Sequence, residues 1–505
     1  MTQYGHERVK RGIINFLVGK GVSAVSGFFA MLLVVHGLSI ADFAAYSVVV
    51  ALVEVFNAIT GFGFTHIILR YVPELYANSR FHTLRATLSF LFGVRTIILI
   101  VALGTVWFFS HRVSAWIGLE HFIPEFQAFL VVVGFRSSNQ FLTQILESTL
   151  HQGVVQSANS LVNIGRCIGM VWLGSEASVN LLNVVWLEAF CEVLSTIVML
   201  AGIFSVIWLN RSNPDDTHSH WYQSNRQQLI RFATFAYLQH LATLPFGGTI
   251  NRLVGGAMLG EQAMATFGFA QSLYEYVKRY LPTQLLIGLI RPVIVARYTT
   301  TGSFSSVAKL CEQFYQVNFA LLAGLLAIFW VDGESIMTVI SAGKYAESGT
   351  SAMILCALLM FIVFETQRLV LELLAQMVEH YEVMVLSNLI LSFSVFGGIA
   401  AIPWLGAIAF PLANSLAIFL TNIWVMFQLS SLGYPYQHDW RATFYTLLIF
   451  LLTIAVGKLC QYAGYDWIVT LPITMVWFIL LFLRLKWEPS LGLIKDLIGK
   501  KLNQE

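Results

Sequence analysis

Residues 90–109 read Phe90-Leu91-Phe92-Gly93-Val94-Arg95-Thr96-Ile97-Ile98-Leu99-Ile100-Val101-Ala102-Leu103-Gly104-Thr105-Val106-Trp107-Phe108-Phe109, an apolar run broken by one charge. A helix rising 1.5 Å per residue crosses a hydrocarbon core with about 20 such residues. The same pattern fills the rest of the chain. Of 505 residues, 57% are hydrophobic and 11% charged, with mean hydropathy +0.72. Soluble chains carry roughly 25% charged residues, so water is not the main solvent here and a soluble multidomain protein is excluded. The formal net charge of +2 gives no footing for nucleic acid.

The apolar runs predict an all-α polytopic membrane protein of fourteen helices. They lie near 12–36, 43–69, 86–109, 124–147, 156–174, 180–208, 232–257, 263–290, 308–330, 350–376, 382–402, 405–429, 442–460 and 466–483. The longest polar connection, 209–231, divides a six-helix lobe (1–208) from a second six-helix lobe (232–430), with two further helices and a basic tail in 431–505. The basic start Arg8-Val9-Lys10-Arg11 has no small-residue cleavage site after it, which reads as a first spanning helix with a cytoplasmic flank rather than a removable signal peptide. Loop charge tests the map. With both termini inside, 18 of the 29 Lys and Arg fall in cytoplasmic segments, and only Arg112 and Lys344 lie on the opposite face. That bias follows the positive-inside rule.

An ungapped shift of 221 residues places Gly27 on Gly248, Glu54 on Glu275 and Arg70 on Arg291. The first two helices thus correspond to the seventh and eighth, and because six helices separate them the repeat is parallel. Two such lobes around a cavity are a recurrent transporter architecture. The stretch Gly37-Leu38-Ser39-Ile40-Ala41-Asp42-Phe43-Ala44-Ala45-Tyr46-Ser47, continued by Gly61-Phe62-Gly63-Phe64 and Ile68-Leu69-Arg70-Tyr71-Val72-Pro73-Glu74, resembles the first two helices of Wzx-type polysaccharide flippases. These are a branch of the multidrug/oligosaccharidyl-lipid/polysaccharide exporter superfamily. Leu38-Ser39 departs from the family's usual Leu-Gly, which Leu259-Gly260 restores in the second lobe. The resemblance implies transport, without enzyme activity or cofactor, of a polyprenyl-pyrophosphate-linked oligosaccharide across the bacterial inner membrane by alternating access. It also implies ion coupling, and as partners membrane lipids and the polymerase and glycosyltransferases of the same pathway.

Charges inside the spans are the candidate site. An ionisable group at mid-bilayer costs at least ~2.5–3.5 kcal/mol and faces a cavity or a partner. Eight cations lie deep: Lys20, Arg95, Arg136 and Arg166 in the first lobe, and Arg252, Lys278, Arg279 and Arg368 in the second. Under the resemblance they form a cationic cavity for the pyrophosphate, which Arg takes in bidentate fashion. The competing reading is local neutralisation, by Glu275 with Lys278 and Arg279 and by Glu365 with Arg368 along one helix. The first-lobe four have no acid within four residues on their own helices and need partners elsewhere. Glu54, Glu275 and Glu365 are candidates for a proton or sodium relay, against structural pairing. Pro245-Phe246-Gly247-Gly248 predicts a break in the seventh helix, and Gly19, Gly21 and Gly27 loosen the first; Pro282 and Pro411 read as ordinary kinks.

Other constellations carry little. The five cysteines lie in apolar runs without a C-x-x-C pair, and Asp215, Asp216, His218 and His220 read as a solvated loop rather than a metal site. No Walker sequence is present. A multidrug exporter is the nearest rival, but spans without Asp and rich in cations favour an anionic substrate. A membrane polymerase or glycosyltransferase would carry a large external loop, whereas the longest external connection is 331–349. The topology makes a direct prediction. Single cysteines in 209–231 react with impermeant reagents only from the cytoplasmic side, and those in 331–349 only from the other. The reverse pattern overturns the map.

Overall fold

The computed structural model describes residues 6–210, 227, 229–230, 233–234, 237–238, 241–242, 244–281, 298, 303–345, 350–378 and 380–484. Predicted features outside these are the charged loop with Asp215, Asp216, His218 and His220, the basic residues Arg211, Arg226, Arg231, Arg291 and Arg297, Pro282, and the tail from 485. By contact, the chain divides into two compact units between Ala265 and Thr266.

In the first unit α1 (His6–Gly37) packs along α7 (Gln152–Ser175). Gly19 is the close-approach point, since a Cβ there would stand 2.5 Å from that of Gln156. Next come α2 (Ile40–Gly61), α3 (Phe64–Ala77), α4 (Phe81–Phe108) and the short α5 (Ser110–Trp116). The unit also holds α6 (Ile123–Ser148), α8 (Leu181–Ile203), which ends in a π-helical turn to Trp208, and α9 (Gly248–Met258). Ser39 is the N-cap of α2, its hydroxyl accepting from the Asp42 amide at 3.0 Å. The departure from Leu-Gly therefore supplies a helix cap. The predicted single helix 43–69 is instead two, because Phe62 (φ 43°) and Gly63 (φ 71°) are both left-handed and end the hydrogen-bond ladder. The break at Pro245–Gly248 is present, with Gly247 at φ 104° before α9 starts.

The second unit contains most of α10 (Glu261–Tyr280), then α11 (Phe304–Ile340), α12 (Ser351–Met377), α13 (Tyr381–Ser392), α14 (Ser394–Leu405) and α15 (Ala409–Ser431). It closes with α16 (Trp440–Tyr462) and α17 (Trp467–Arg484). Three expectations change. The run 382–402 is interrupted at Phe393, giving α13 and α14. Pro411 sits in the first turn of α15, where no backbone bond is lost, so it makes no kink. Above all, α11 runs on to Ile340, well past the predicted end at 330. The supposed external loop thus begins as helix, and an aspartate, Asp332, lies buried inside it.

Polar partners explain why α11 continues. Asp332 Oδ1 accepts from Thr470 Oγ1 at 2.6 Å and Gln461 Nε2 at 3.0 Å, tying α11 to the α16–α17 turn. Twenty residues earlier, about 30 Å along the helix, buried Glu312 accepts from Gln316 Nε2 (2.7 Å), the Asp439 amide (3.0 Å) and the Tyr436 hydroxyl. Two carboxylates on one helix thus hold the α16–α17 pair near both of its ends. Among the described residues, nine helical stretches are long and apolar enough to cross a membrane. Asp332→Ala and Glu312→Ala each leave donors unpaired, at a cost of about 1–3 kcal/mol. Being far apart, their reductions of the unfolding midpoint in detergent should add in the double variant.

Candidate functional site

Four charges meet in the middle of the first unit. Glu188, on α8, is fully buried, accepts from Arg136 Nη2 on α6 at 3.0 Å and forms an ion pair with Arg166 Nη2 on α7 at 2.6 Å. The Tyr46 hydroxyl, on α2, donates to Glu188 Oε1 at 2.6 Å and accepts from Arg166 at 2.9 Å. One turn along α8, Glu192 takes Arg136 Nε at 2.7 Å and Asn139 Nδ2 at 2.8 Å, and Thr196 donates to Asn139. Two guanidiniums are thus balanced by two carboxylates across four helices. Arg136 and Arg166 find the cross-helix partners their own helices lack.

Arg95 is solved differently. Its guanidinium, buried on α4, donates to Asn57 Oδ1 at 2.9 Å and to Ser137 Oγ and carbonyl at 3.0 and 3.1 Å, over the Phe141 ring at 4.7 Å. Among the described residues no carboxylate lies within 4 Å of it. Asn57 is itself bonded by Gln140, whose amide reaches Glu54 Oε1 at 3.5 Å; Glu54 is exposed. Lys20 is half-buried on α1 and within electrostatic reach of Glu147 at the end of α6. Arg252 is buried on α9.

In the second unit, Lys278 crosses from α10 to Glu365 on α12 at 2.6 Å, with the Tyr274 hydroxyl 3.4 Å from the same carboxylate. The expected pair of Glu365 with Arg368 is therefore replaced. Arg368 is buried and donates instead to Ser387 Oγ at 2.8 Å and to Asn388 Oδ1, both on α13. Glu275 receives Gln271 at 3.5 Å, and Arg279 is exposed. Glu365 and Arg368 are close enough along the helix to pair, but each is taken by a neighbouring helix, Glu365 by Lys278 of α10 and Arg368 by Ser387 and Asn388 of α13. A partner on a packed neighbour reaches further into the interior.

Glu188 and Glu192 stand in the sequence as acidic partners within the spans, but nothing there assigns them to Arg136 and Arg166 or brings the Tyr46 hydroxyl between them. Residues 22 to 142 positions apart have no spacing to read. Asn57, Ser137 and Asn388 likewise lack any signal beyond being polar in apolar runs.

The architecture matches solved transporters. Over 93% of this chain and 98% of the other, the fold resembles a structure titled lipid II flippase MurJ, inward closed conformation, with TM-score 0.63 at 14% identity. An inward-facing multidrug resistance MATE family transporter of the MOP superfamily gives 0.63 at 12% identity, covering 83% of this chain and 99% of that one. The MATE multidrug transporter DinF-BH gives 0.54 at 13%, covering 85% and 96%. Comparison with curated protein sequences finds no relative. The chain is thus a multi-pass helical membrane protein with the fold of MOP-superfamily transporters. Residues 9–285, more than half of its length, match the family described as polysaccharide biosynthesis protein, and the chain belongs to that family.

The charge cluster makes a stability prediction. Removing Arg136 alone strands Glu192 and half of Glu188's compensation, a loss of about 3–5 kcal/mol for a broken buried pair. Arg136→Met with Glu192→Met, which removes both charges, should lose less. Unfolding midpoints of the two purified variants check the order.

Proposed function

We propose that this chain flips a polyprenyl-pyrophosphate-linked oligosaccharide, the repeat unit of a surface polysaccharide, across the bacterial inner membrane by alternating access. The observation that carries the reading is membership of a polysaccharide biosynthesis family on a fold shared with transporters. A multidrug exporter has the same fold, so the substrate must be argued from charge. Arg95 keeps its positive charge on neutral oxygens, and Arg368 also donates to neutral oxygens, with Glu372 one turn along its own helix as its charged neighbour. Such cations attract a pyrophosphate and disfavour an organic cation. Contacts made through amides and hydroxyls are also weak enough for a passing headgroup to displace and return.

In this reading the lobes 1–208 and 232–430 rock around the passage, while 431–505 adds a peripheral helix pair. Lys20, Arg95, Arg136, Arg166, Arg252, Lys278, Arg279 and Arg368 supply its positive charge. Glu365, already sharing Lys278, is the best placed of Glu54, Glu275 and Glu365 to couple an ion. The termini lie in the cytoplasm, and the polymerase and glycosyltransferases of the pathway act beside the protein.

Deleting the gene should abolish one surface polymer and leave its lipid-linked repeat accumulating on the cytoplasmic leaflet. Accumulation on the outer leaflet indicates a polymerase instead, and overturns the flippase reading. Lys20→Ala and Arg166→Ala should each restore less polymer than the wild-type gene. Full restoration by both removes the cationic passage.

A further inference from the structure

The first-unit cluster is built asymmetrically. The Glu188 side chain is 1% exposed and that of Glu192 8%, whereas those of Arg136 and Arg166 are 19% and 17% exposed. The carboxylates therefore sit behind, and the arginine side chains are the more exposed part of the cluster. Arg166 Nε is buried without a hydrogen-bond partner, so even the paired guanidinium has donor capacity in reserve. Glu188 joins the two arginines, and the Tyr46 hydroxyl sits between Glu188 and Arg166.

We propose that Glu188 is a resident counter-anion that is exchanged for the substrate's anionic headgroup, and that the exchange loads one proton onto the protein. The inference rests on the anionic-substrate reading above. With the site empty, Glu188 balances Arg136 and Arg166. A diphosphate offers the same guanidiniums more oxygens and more charge than one carboxylate does, and it approaches from their exposed side. As the arginines turn to it, Glu188 is left buried with Tyr46 and the neighbouring Glu192. A buried carboxylate without its counter-ions is too costly to persist as an anion. It takes a proton from hydronium or a buffer acid in solution, an O–H bond forming on the carboxylate as the donor's breaks and the donor's conjugate base stays in solution, and the neutral acid keeps its hydrogen bond with Tyr46. On release of the headgroup the arginines return and the proton leaves. No other bond is made or broken.

The groups facing Glu188 are Tyr46 from α2, Arg136 from α6, Arg166 from α7 and, on its own helix, Glu192 and Cys191. Glu192 keeps Asn139 as a donor when Arg136 moves, which leaves Glu188 as the carboxylate with most to lose. Tyr46 then acts as a positioning residue, holding the acid where both arginines can find it again.

Thermodynamic reciprocity turns this into a measurement. If headgroup binding loads a proton, protons must strengthen headgroup binding, by up to about tenfold per pH unit for one linked proton. The test measures binding of farnesyl diphosphate to the full-length protein in detergent between pH 6 and 8. The ligand's own titration is common to every variant, so differences between variants isolate the protein. Wild type should bind more tightly as pH falls, relative to Glu188→Gln, which imitates the protonated acid and should bind with the flatter profile. An identical pH profile in the two proteins overturns the exchange while leaving the substrate reading intact. Absence of binding by wild type at every pH overturns both. A second measurement needs no variant. Proton uptake on adding ligand to lightly buffered wild-type protein should approach one per ligand bound. At pH 8, where the diphosphate is already fully ionised and has no proton to release, zero uptake or net release refutes the proposal.

Discussion

A charge inside a bilayer needs a partner that lipid cannot supply, and in the first unit that partner comes from another helix. That constraint organises the molecule. Glu188 is reached by side chains from α2, α6 and α7 at once, so four helices are registered by one carboxylate. Apolar packing between helices tolerates sliding, since lipid tails are as apolar as the side chains they would replace. A two-sided ion pair does not tolerate it. The cluster thus fixes the rotation and depth of each helix more sharply than the apolar surface around it.

The cations fall into two kinds with different chemical prospects. Arg136, Arg166 and Lys278 are balanced by carboxylates at 2.6 to 3.0 Å. Arg95 and Arg368 donate to amide and hydroxyl oxygens rather than to a carboxylate, and Arg95 Nε is left buried without a partner. A passage for an anion needs both. Under the proposed function, uncompensated cations would lower the barrier to entry, and compensated ones would change partner and so tie binding to a proton. Eight free cations would bind a pyrophosphate too tightly to release it.

The second unit uses carboxylates for a different purpose. Glu312 and Asp332 project from one helix about 30 Å apart, each closing on donors from the α16–α17 region. Between them a Cβ on Gly457 would approach Val331 and Thr474 at 2.7 Å, so the three helices touch almost at the backbone. The C-terminal pair is thus tied to α11 by polar bonds near both ends and by close packing between them.

Much of this was legible in the residues alone. Apolar run length gave the helical class, and left-handed or proline-bearing positions such as Gly247 marked where a helix stops. The sequence also located the deep cations, because a lone Arg in an apolar run cannot be hidden. It misplaced the end of α11, since Asp332 and Gly333 read as loop until Thr470, Gln461 and Ala352 are brought against them. It favoured Arg368 as the mate of Glu365 where the fold chose Lys278. Hydropathy is local and one-dimensional, so the sequence by itself determined the solvent, the helices and their charges. Which charge meets which depends on helix rotation and neighbour choice, and only the tertiary structure decided that.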